Sequence, residues 1–214
     1  MQPPTECRWY FSPQAEWPYD EVVAVGADLE PDTVLYAYAH GMFPMYVDKK
    51  SRTLGWWSPL ERGVIPLDGF RITRSLRSSA QHFVCTINAA FVRVMQECAT
   101  ARTDGNWINQ EFIDAYTTLH QMGHAHSVEV WNKKGELVGG LYGLRMNGLF
   151  AGESMFHRET DASKVALMHL VDLMNLDGMQ LLDTQWNTDH LASLGCMSVT
   201  RADYLALLAK AIQP

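Results

Sequence analysis

Two glycine-bearing turns fix the middle of this chain. Lys134-Gly135 and Asn147-Gly148 divide an apolar-rich stretch into three strand-length pieces, residues 127–131, 137–144 and 149–156. Both pairs suit tight hairpin turns, because Gly and Asn tolerate the positive φ that such turns demand. Three strands joined in this way form an antiparallel meander, whose apolar face must be covered. The next segment can cover it. Residues 161–177 are apolar nearly all round, so a helix there is expected to be buried on both sides, and Gly178 ends it. Residues 179–185 read as a further strand. Thr200-Arg-Ala-Asp203 reads as a capping box opening a last helix, with Tyr204, Leu207, Leu208 and Ala211 inward.

Upstream of the meander, residues 82–87 read as a strand and Asn88 as the cap of a helix that turns Phe91, Val94, Met95 and Cys98 inward. A second helix begins near Asn109, carries Phe112, Ile113, Tyr116 and Leu119 on one face, and stops at Gly123. The first sixty or so residues are rich in Pro and aromatics, with one clear helix from Pro31 to Gly41 and otherwise turns and short extended pieces. The expected organisation is α+β: a small N-terminal domain over residues 1–64, then a mixed α/β domain of the GNAT acyltransferase type over residues 65–214.

Composition narrows the classes. Of 214 residues, 47% are apolar, enough for a sizeable core. The longest apolar stretch, residues 165–176, is broken by His169, Asp172 and Asn175, short of a membrane span. The N-terminus lacks the basic start and apolar stretch of a signal peptide, so a cytoplasmic protein is expected. Cys7, Cys85, Cys98 and Cys196 are widely spaced, which favours reduced thiols over a disulfide framework or a zinc site. His124 and His126 have no carboxylate or Cys at matching spacing and read as structural. The net charge of −7 argues against broad nucleic-acid binding, so any RNA contact must rest on a local basic patch.

Several unusual strings occur in one order: V-G-A-D-L-E-P (25–31), G-M-F-P (41–44), W-W-S-P (56–59), G-H-A-H-S-V-E-V-W (123–131), E-L-V-G-G-L-Y-G (136–143), G-E-S-M-F (152–156), A-S-K-x-A-L (162–167) and D-T-Q-x-x-x-D-H-x-A-S-L-G (183–195). Together they closely resemble the leucyl/phenylalanyl-tRNA–protein transferases of bacteria. The resemblance implies a GNAT-like catalytic domain and transfer of Leu, Phe and sometimes Met from aminoacyl-tRNA to proteins that begin with Arg or Lys. It implies a mark for degradation by the N-end rule, no metal, no coenzyme A and no membrane; a monomer is expected.

By the same resemblance Asp183 and Gln185 are the catalytic pair. Two residues apart on a strand, they share one face, and Asp183 would orient and polarise the amide whose oxygen holds the attacking amine. Read without the resemblance, Asp183 suits a helix cap or an Arg partner better than a catalytic role. Glu153, flanked by Phe150, Met155 and Phe156, either joins the active site or forms a structural salt bridge. The resemblance places Met45, Trp107, Leu141, Phe150, Leu170, Met174 and Leu182 around the transferred side chain, with Trp57 and Ser154 in the same substrate site; singly, each apolar one of these reads as core. Met45 stands where the family commonly has Trp. Trp56 or Trp57 could stack on the terminal adenosine, or serve as interdomain glue. Arg71, Arg74 and Arg77 recur every three residues and would form a basic ridge on a helix, either a phosphate contact or a solvated face. His190 is expected to support the active-site loop.

Two rival activities are weighed against this. An acetyl-CoA-dependent N-acetyltransferase needs a glycine-bearing pyrophosphate turn before the long helix; residues 157–164 contain no glycine and carry two acids there. A non-catalytic tRNA- or peptide-binding module would have no need of Asp183, Gln185 and Glu153 together.

Overall fold

The computed structural model describes residues 4, 6–48, 52–101 and 107–213. Two sheets organise them. The smaller contains β1 (Val22–Val25), β2 (Phe43–Asp48) and β3 (Thr53–Trp57) in the order β1-β3-β2, all antiparallel. Between β1 and β2 lies α1 (Pro31–Ala39), with Pro31 at its first turn, where a missing N–H costs nothing. Sequence reading expected turns and short extended pieces around this helix. Three paired strands stand there instead, and Pro44 and Gly55 within them break the usual strand pattern.

The larger sheet has seven strands in the order β10-β4-β9-β8-β7-β6-β5: β4 (Glu61–Ile65), β5 (Val84–Ile87), β6 (Ala125–Trp131), β7 (Leu137–Met146), β8 (Leu149–His157), β9 (Leu181–Gln185) and β10 (Met197–Thr200). Strands β6, β7 and β8 form the expected meander. β8 and β9 are parallel, and the other pairs are antiparallel. The order agrees with the mixed, GNAT-like α/β arrangement expected from the sequence. The expected break between residues 64 and 65 falls within β4, a strand of the large sheet.

The parallel connection from β8 to β9 runs through α5 (Ala162–Leu176), as such crossovers usually do. This helix packs on β6, β7 and β8, and burying Val165, Leu167, Leu170, Val171 and Met174 contributes about 1.5–3 kcal/mol each. It is not buried on both sides as expected: Asp172, Asn175 and Leu176 face outward. The helix lies very close to β7, because a Cβ on Gly139 would sit 2.5 Å from that of Ala162. Helices α3 (Phe91–Ala101) and α4 (Gln110–Gln121) cover the other face, with α1 and α7 (Arg201–Ala211) contributing to the same core.

Two local expectations are corrected. Asn88 does not cap α3. It adopts φ +58° and its side-chain oxygen accepts from Ser127 N–H at 3.0 Å. Glu129 of β6, wholly buried, takes the N–H groups of Ala89 and Ala90 at 3.2 and 3.3 Å, so a carboxylate meets the positive end of the helix. Arg71 does not share a helix with Arg74 and Arg77. The Thr73 hydroxyl accepts from Leu76 N–H at 3.1 Å, and α2 (Arg74–Ala80) starts only after it.

Candidate active site

β8 and β9 are hydrogen-bonded only over Leu149–Ala151 and Leu181–Asp183. Beyond that point they diverge. Each then carries one extra residue relative to its antiparallel neighbour. Tyr142 and Gly143 of β7 face Ser154 and Gly152, so Glu153 is the bulged residue on β8. Gly63 and Val64 of β4 face Gln185 and Asp183, so Thr184 is the bulged residue on β9. Bulges of this kind re-aim side chains and end pairing. Gly63 makes room for the second, since a Cβ there would meet the backbone of Trp186 at 2.6 Å.

Between the diverging strands and α5 opens a cavity of about 430 Å³. It lies at the carboxyl ends of the parallel pair, where ligands of open α/β sheets usually bind. Leu141, Met155, Leu167, Leu170 and Leu182 give it an apolar wall, with Phe43, Met45, Trp107 and Trp186 contributed from other elements. Glu153, Ser154 and Gln185 are polar members of the lining. His157, Thr188 and His190 line it where the chain is exposed, which marks the mouth.

Glu153 is buried, and its Oε1 is hydrogen-bonded twice. It accepts a short hydrogen bond from Tyr38 Oη and another from Gln185 Nε2 at 3.3 Å. Tyr38 Oη in turn lies 2.8 Å from Tyr116 Oη. Burial pushes the Glu153 carboxyl up to about 7; the Tyr38 bond pulls the other way, and the neighbouring Asp183 charge adds to the rise.

Asp183 has the opposite arrangement. It is wholly buried and meets Arg62 of β4 in a two-pronged ion pair, Nε to Oδ1 at 2.8 Å and Nη2 to Oδ2 at 2.6 Å. Tyr204 Oη donates to Oδ2 at 2.8 Å, and the guanidinium lies over the rings of Phe43 and Tyr204, 4.7 and 4.3 Å from their centroids. Arg62 also reaches the Gly41 carbonyl at 3.3 Å. The bond between Asp183 and Gln185 runs through the main chain, from Gln185 N–H to Asp183 Oδ1 at 2.8 Å. It holds Gln185 at φ +61°, a conformation that costs a side-chain-bearing residue about 1–3 kcal/mol.

The residues expected at the site thus fall into two groups. Glu153, Gln185, Met45, Trp107, Leu141, Ser154, Leu170 and Leu182 line one cavity. Asp183, Phe150, Met174 and Trp57 stand behind its wall: the first three are buried in the sheet and its α5 face, while Trp57 packs edge-on against Trp186 and donates to the Met45 carbonyl at 3.0 Å. Trp56 is wholly buried against Phe11, so no base can stack on it. Arg71, Arg74 and Arg77 are exposed. Sequence reading did not single out Arg62, Tyr38, Tyr116, Tyr204 or Trp186 for the site. Their side chains come together only through long-range pairing, although Trp186 follows the D-T-Q string directly. Among the described residues no group of three His, Cys, Asp or Glu side chains could hold a metal ion, and no helix is long and apolar enough to cross a membrane.

Comparison with known proteins adds to this geometry. The family model described as leucyl/phenylalanyl-tRNA protein transferase matches residues 64–209, and the model for that transferase's N-terminal domain matches residues 27–60. A leucyl/phenylalanyl-tRNA–protein transferase of Rhizorhabdus wittichii is 48% identical over 188 residues, covering 86% of this chain and 75% of that protein. The protein of the same name from Pseudoalteromonas atlantica is 43% identical over 196 residues, covering 90% and 82%. Among solved structures, FemX is similar at 12% identity with a TM-score of 0.48, over 79% of this chain and 66% of that one.

Proposed function

We propose, for a chain that belongs to the leucyl/phenylalanyl-tRNA–protein transferase family, that the cavity between β8 and β9 receives the leucyl or phenylalanyl side chain of an aminoacyl-tRNA and presents its ester to an incoming protein N-terminus. The chain is an enzyme, an aminoacyltransferase. In the finer reading the acceptors begin with Arg or Lys, methionine is a further donor, and the product is marked for N-end rule degradation in the cytoplasm by a monomeric enzyme.

The observation that carries this reading is the hydrogen-bonded pair Glu153 and Gln185 in the wall of an otherwise apolar cavity. The reaction forms a C–N bond between the acceptor's α-amine and the ester carbonyl carbon, and breaks the C–O bond to the terminal ribose. The proton lost by the amine ends on the departing ribose hydroxyl. No side-chain nucleophile is needed, only a neutral amine held near the carbonyl and stabilisation of the charge that develops. Gln185 Nε2 is committed to Glu153, which leaves the amide oxygen to accept from the attacking amine. Glu153, poised near neutrality, balances the positive charge that grows on that nitrogen. Ser154 Oγ is buried with no protein partner and is free to donate to the ester oxygen. Asp183 acts through the main chain, holding Gln185 in place and not touching the reactants.

The test is transfer of radiolabelled leucine from charged tRNA to a protein with an N-terminal Arg. The wild type should transfer, and Gln185→Ala should lose ~10²–10³ in single-turnover rate. Undiminished transfer by that variant would refute the role of Gln185; no transfer by folded wild type would refute the reading as a whole.

A further inference from the structure

The transfer chemistry leaves one wall of the cavity without a task. Trp186 follows Gln185, and successive side chains of a strand point to opposite faces. The left-handed turn at Gln185 interrupts that alternation, and both side chains line the same cavity. The indole is fixed by three neighbours. Its ring meets those of Phe43 and Trp57 edge-on, with centroids 5.1 and 5.9 Å away, and its Nε1 donates to Glu21 Oε2 at 3.3 Å.

Glu21 stands just before β1, and its main-chain carbonyl accepts from Ser58 N–H at 2.8 Å, which ties it to the end of β3. Its side chain is partly exposed. Among the described residues it belongs to no ion pair. The cation on that side, Arg201, is taken up by main-chain oxygens: it donates to the carbonyls of Pro18 at 3.3 Å, of Asp20 and of Ser58. Residues 9–48, which surround Glu21 in the chain, include Asp and Glu but no Lys or Arg. A carboxylate at the edge of an indole in this setting draws a cation to the ring, and the ring offers it a face.

We propose that Trp186 and Glu21 form the subsite for the acceptor's first side chain, and that they select a guanidinium. With the acceptor's α-amine on the Gln185 amide oxygen, the side chain of that same residue begins beside Trp186, the next residue of the chain. A planar guanidinium stacks on the indole face, and its charge then lies inside the roughly 10 Å over which 0.1 M salt screens Glu21. An ammonium gains the charge but not the stack, so Arg is the better acceptor and Lys the poorer one. This subsite presupposes the aminoacyl-transfer reading of the cavity and gives it a ranking of acceptors.

Steady-state transfer of phenylalanine from charged tRNA to three short peptides tests it. The peptides differ only in their first residue: Arg, Lys, or citrulline, which keeps the shape of Arg without its charge. In the wild type kcat/KM should be about tenfold higher for Arg than for citrulline, and roughly threefold higher for Arg than for Lys. Glu21→Gln keeps an oxygen for the indole N–H and removes the charge, so the Arg-to-citrulline ratio should fall severalfold. Trp186→Leu removes the stacking face, so the Arg-to-Lys ratio should fall to about one. Each ratio is taken within one variant, so a general loss of activity cancels; should Trp186→Leu fail to fold, Glu21→Gln alone decides. Equal use of Arg and citrulline by the wild type, or either ratio unchanged by its substitution, overturns the subsite and leaves the transfer reading standing. Transfer to none of the peptides by folded wild type overturns the transfer reading, and the subsite falls with it.

Discussion

At the scale of single residues, two buried carboxylates on neighbouring strands, Glu153 and Asp183, are given opposite environments. Burial holds the Glu153 proton on toward neutrality, and the hydroxyl and amide donors around it, with no cation in contact, do not offset that. The folded value of about 7 lies above the ordinary 4.5, so between those pH values the folded protein binds a proton that the unfolded chain has released. Stability should therefore be highest below that window and fall as pH rises through it, by about 3 kcal/mol at most. Urea denaturation from pH 5 to 8 should show this decline in the wild type and a flatter profile in Glu153→Gln; equal slopes would mean that Glu153 is charged throughout. Asp183, by contrast, has Arg62. Asp183→Asn leaves a guanidinium buried without its counter-ion, which typically costs about 3–5 kcal/mol. Denaturation should register that loss, while Gln185→Ala should lower the midpoint far less. Wild-type stability in Asp183→Asn would show that Arg62 does not depend on this carboxylate.

At the scale of elements, the meander, the long helix and the final helix were legible because their signals are local: glycine turns, a capping box, apolar periodicity. The Thr200 hydroxyl does accept from Asp203 N–H at 3.1 Å, as the capping box implies. Strand β10 was not legible, because its four residues are mostly exposed and give no apolar pattern. Period-two spacing placed Asp183 and Gln185 side by side, and the extra residue Thr184 changed their relation: one is locked behind the wall and the other reaches Glu153. The D-T-Q string was visible; its Arg62 partner was not, since nothing local links positions 62 and 183. The seating of α5 on β7 gives an element-scale prediction. Gly139→Ala would press a methyl group into the Cβ and the backbone of Ala162, and lifting the helix should cost about 1–3 kcal/mol. Because Ser163, Leu167 and Leu170 line the cavity, donor affinity should fall with stability in that variant. Thermal unfolding and donor binding check both, and unchanged donor affinity would show that the helix does not set the width of the cavity.

At the scale of the whole molecule, an acidic chain must attract a polyanion through one local surface. The exposed arginines at 71, 74 and 77, on a segment tied to α6 (Asp189–Ser193) and to the start of α5, are the surface proposed for that role. Replacing all three with Ala should weaken tRNA binding and reduce the slope of log affinity against log salt by roughly one for each phosphate no longer neutralised. Filter binding over a salt series measures it, and an unaltered slope would make the segment a solvated face.

The ion pair behind the site also dictates an order of assembly. Arg62 and Asp183 are 121 residues apart, and Arg62 and Tyr204 are 142 apart. Strand β4 enters the sheet between β9 and β10, two strands that follow it by more than a hundred residues. While the chain is emerging from the ribosome, Arg62 therefore waits without its carboxylate, and Gln185 cannot be held in its left-handed turn. The meander can close by local pairing long before, but the groups proposed to act on the ester are set only after α7 is free to dock. A partly made chain is thus structured at its centre and chemically silent, and competence arrives in one late step.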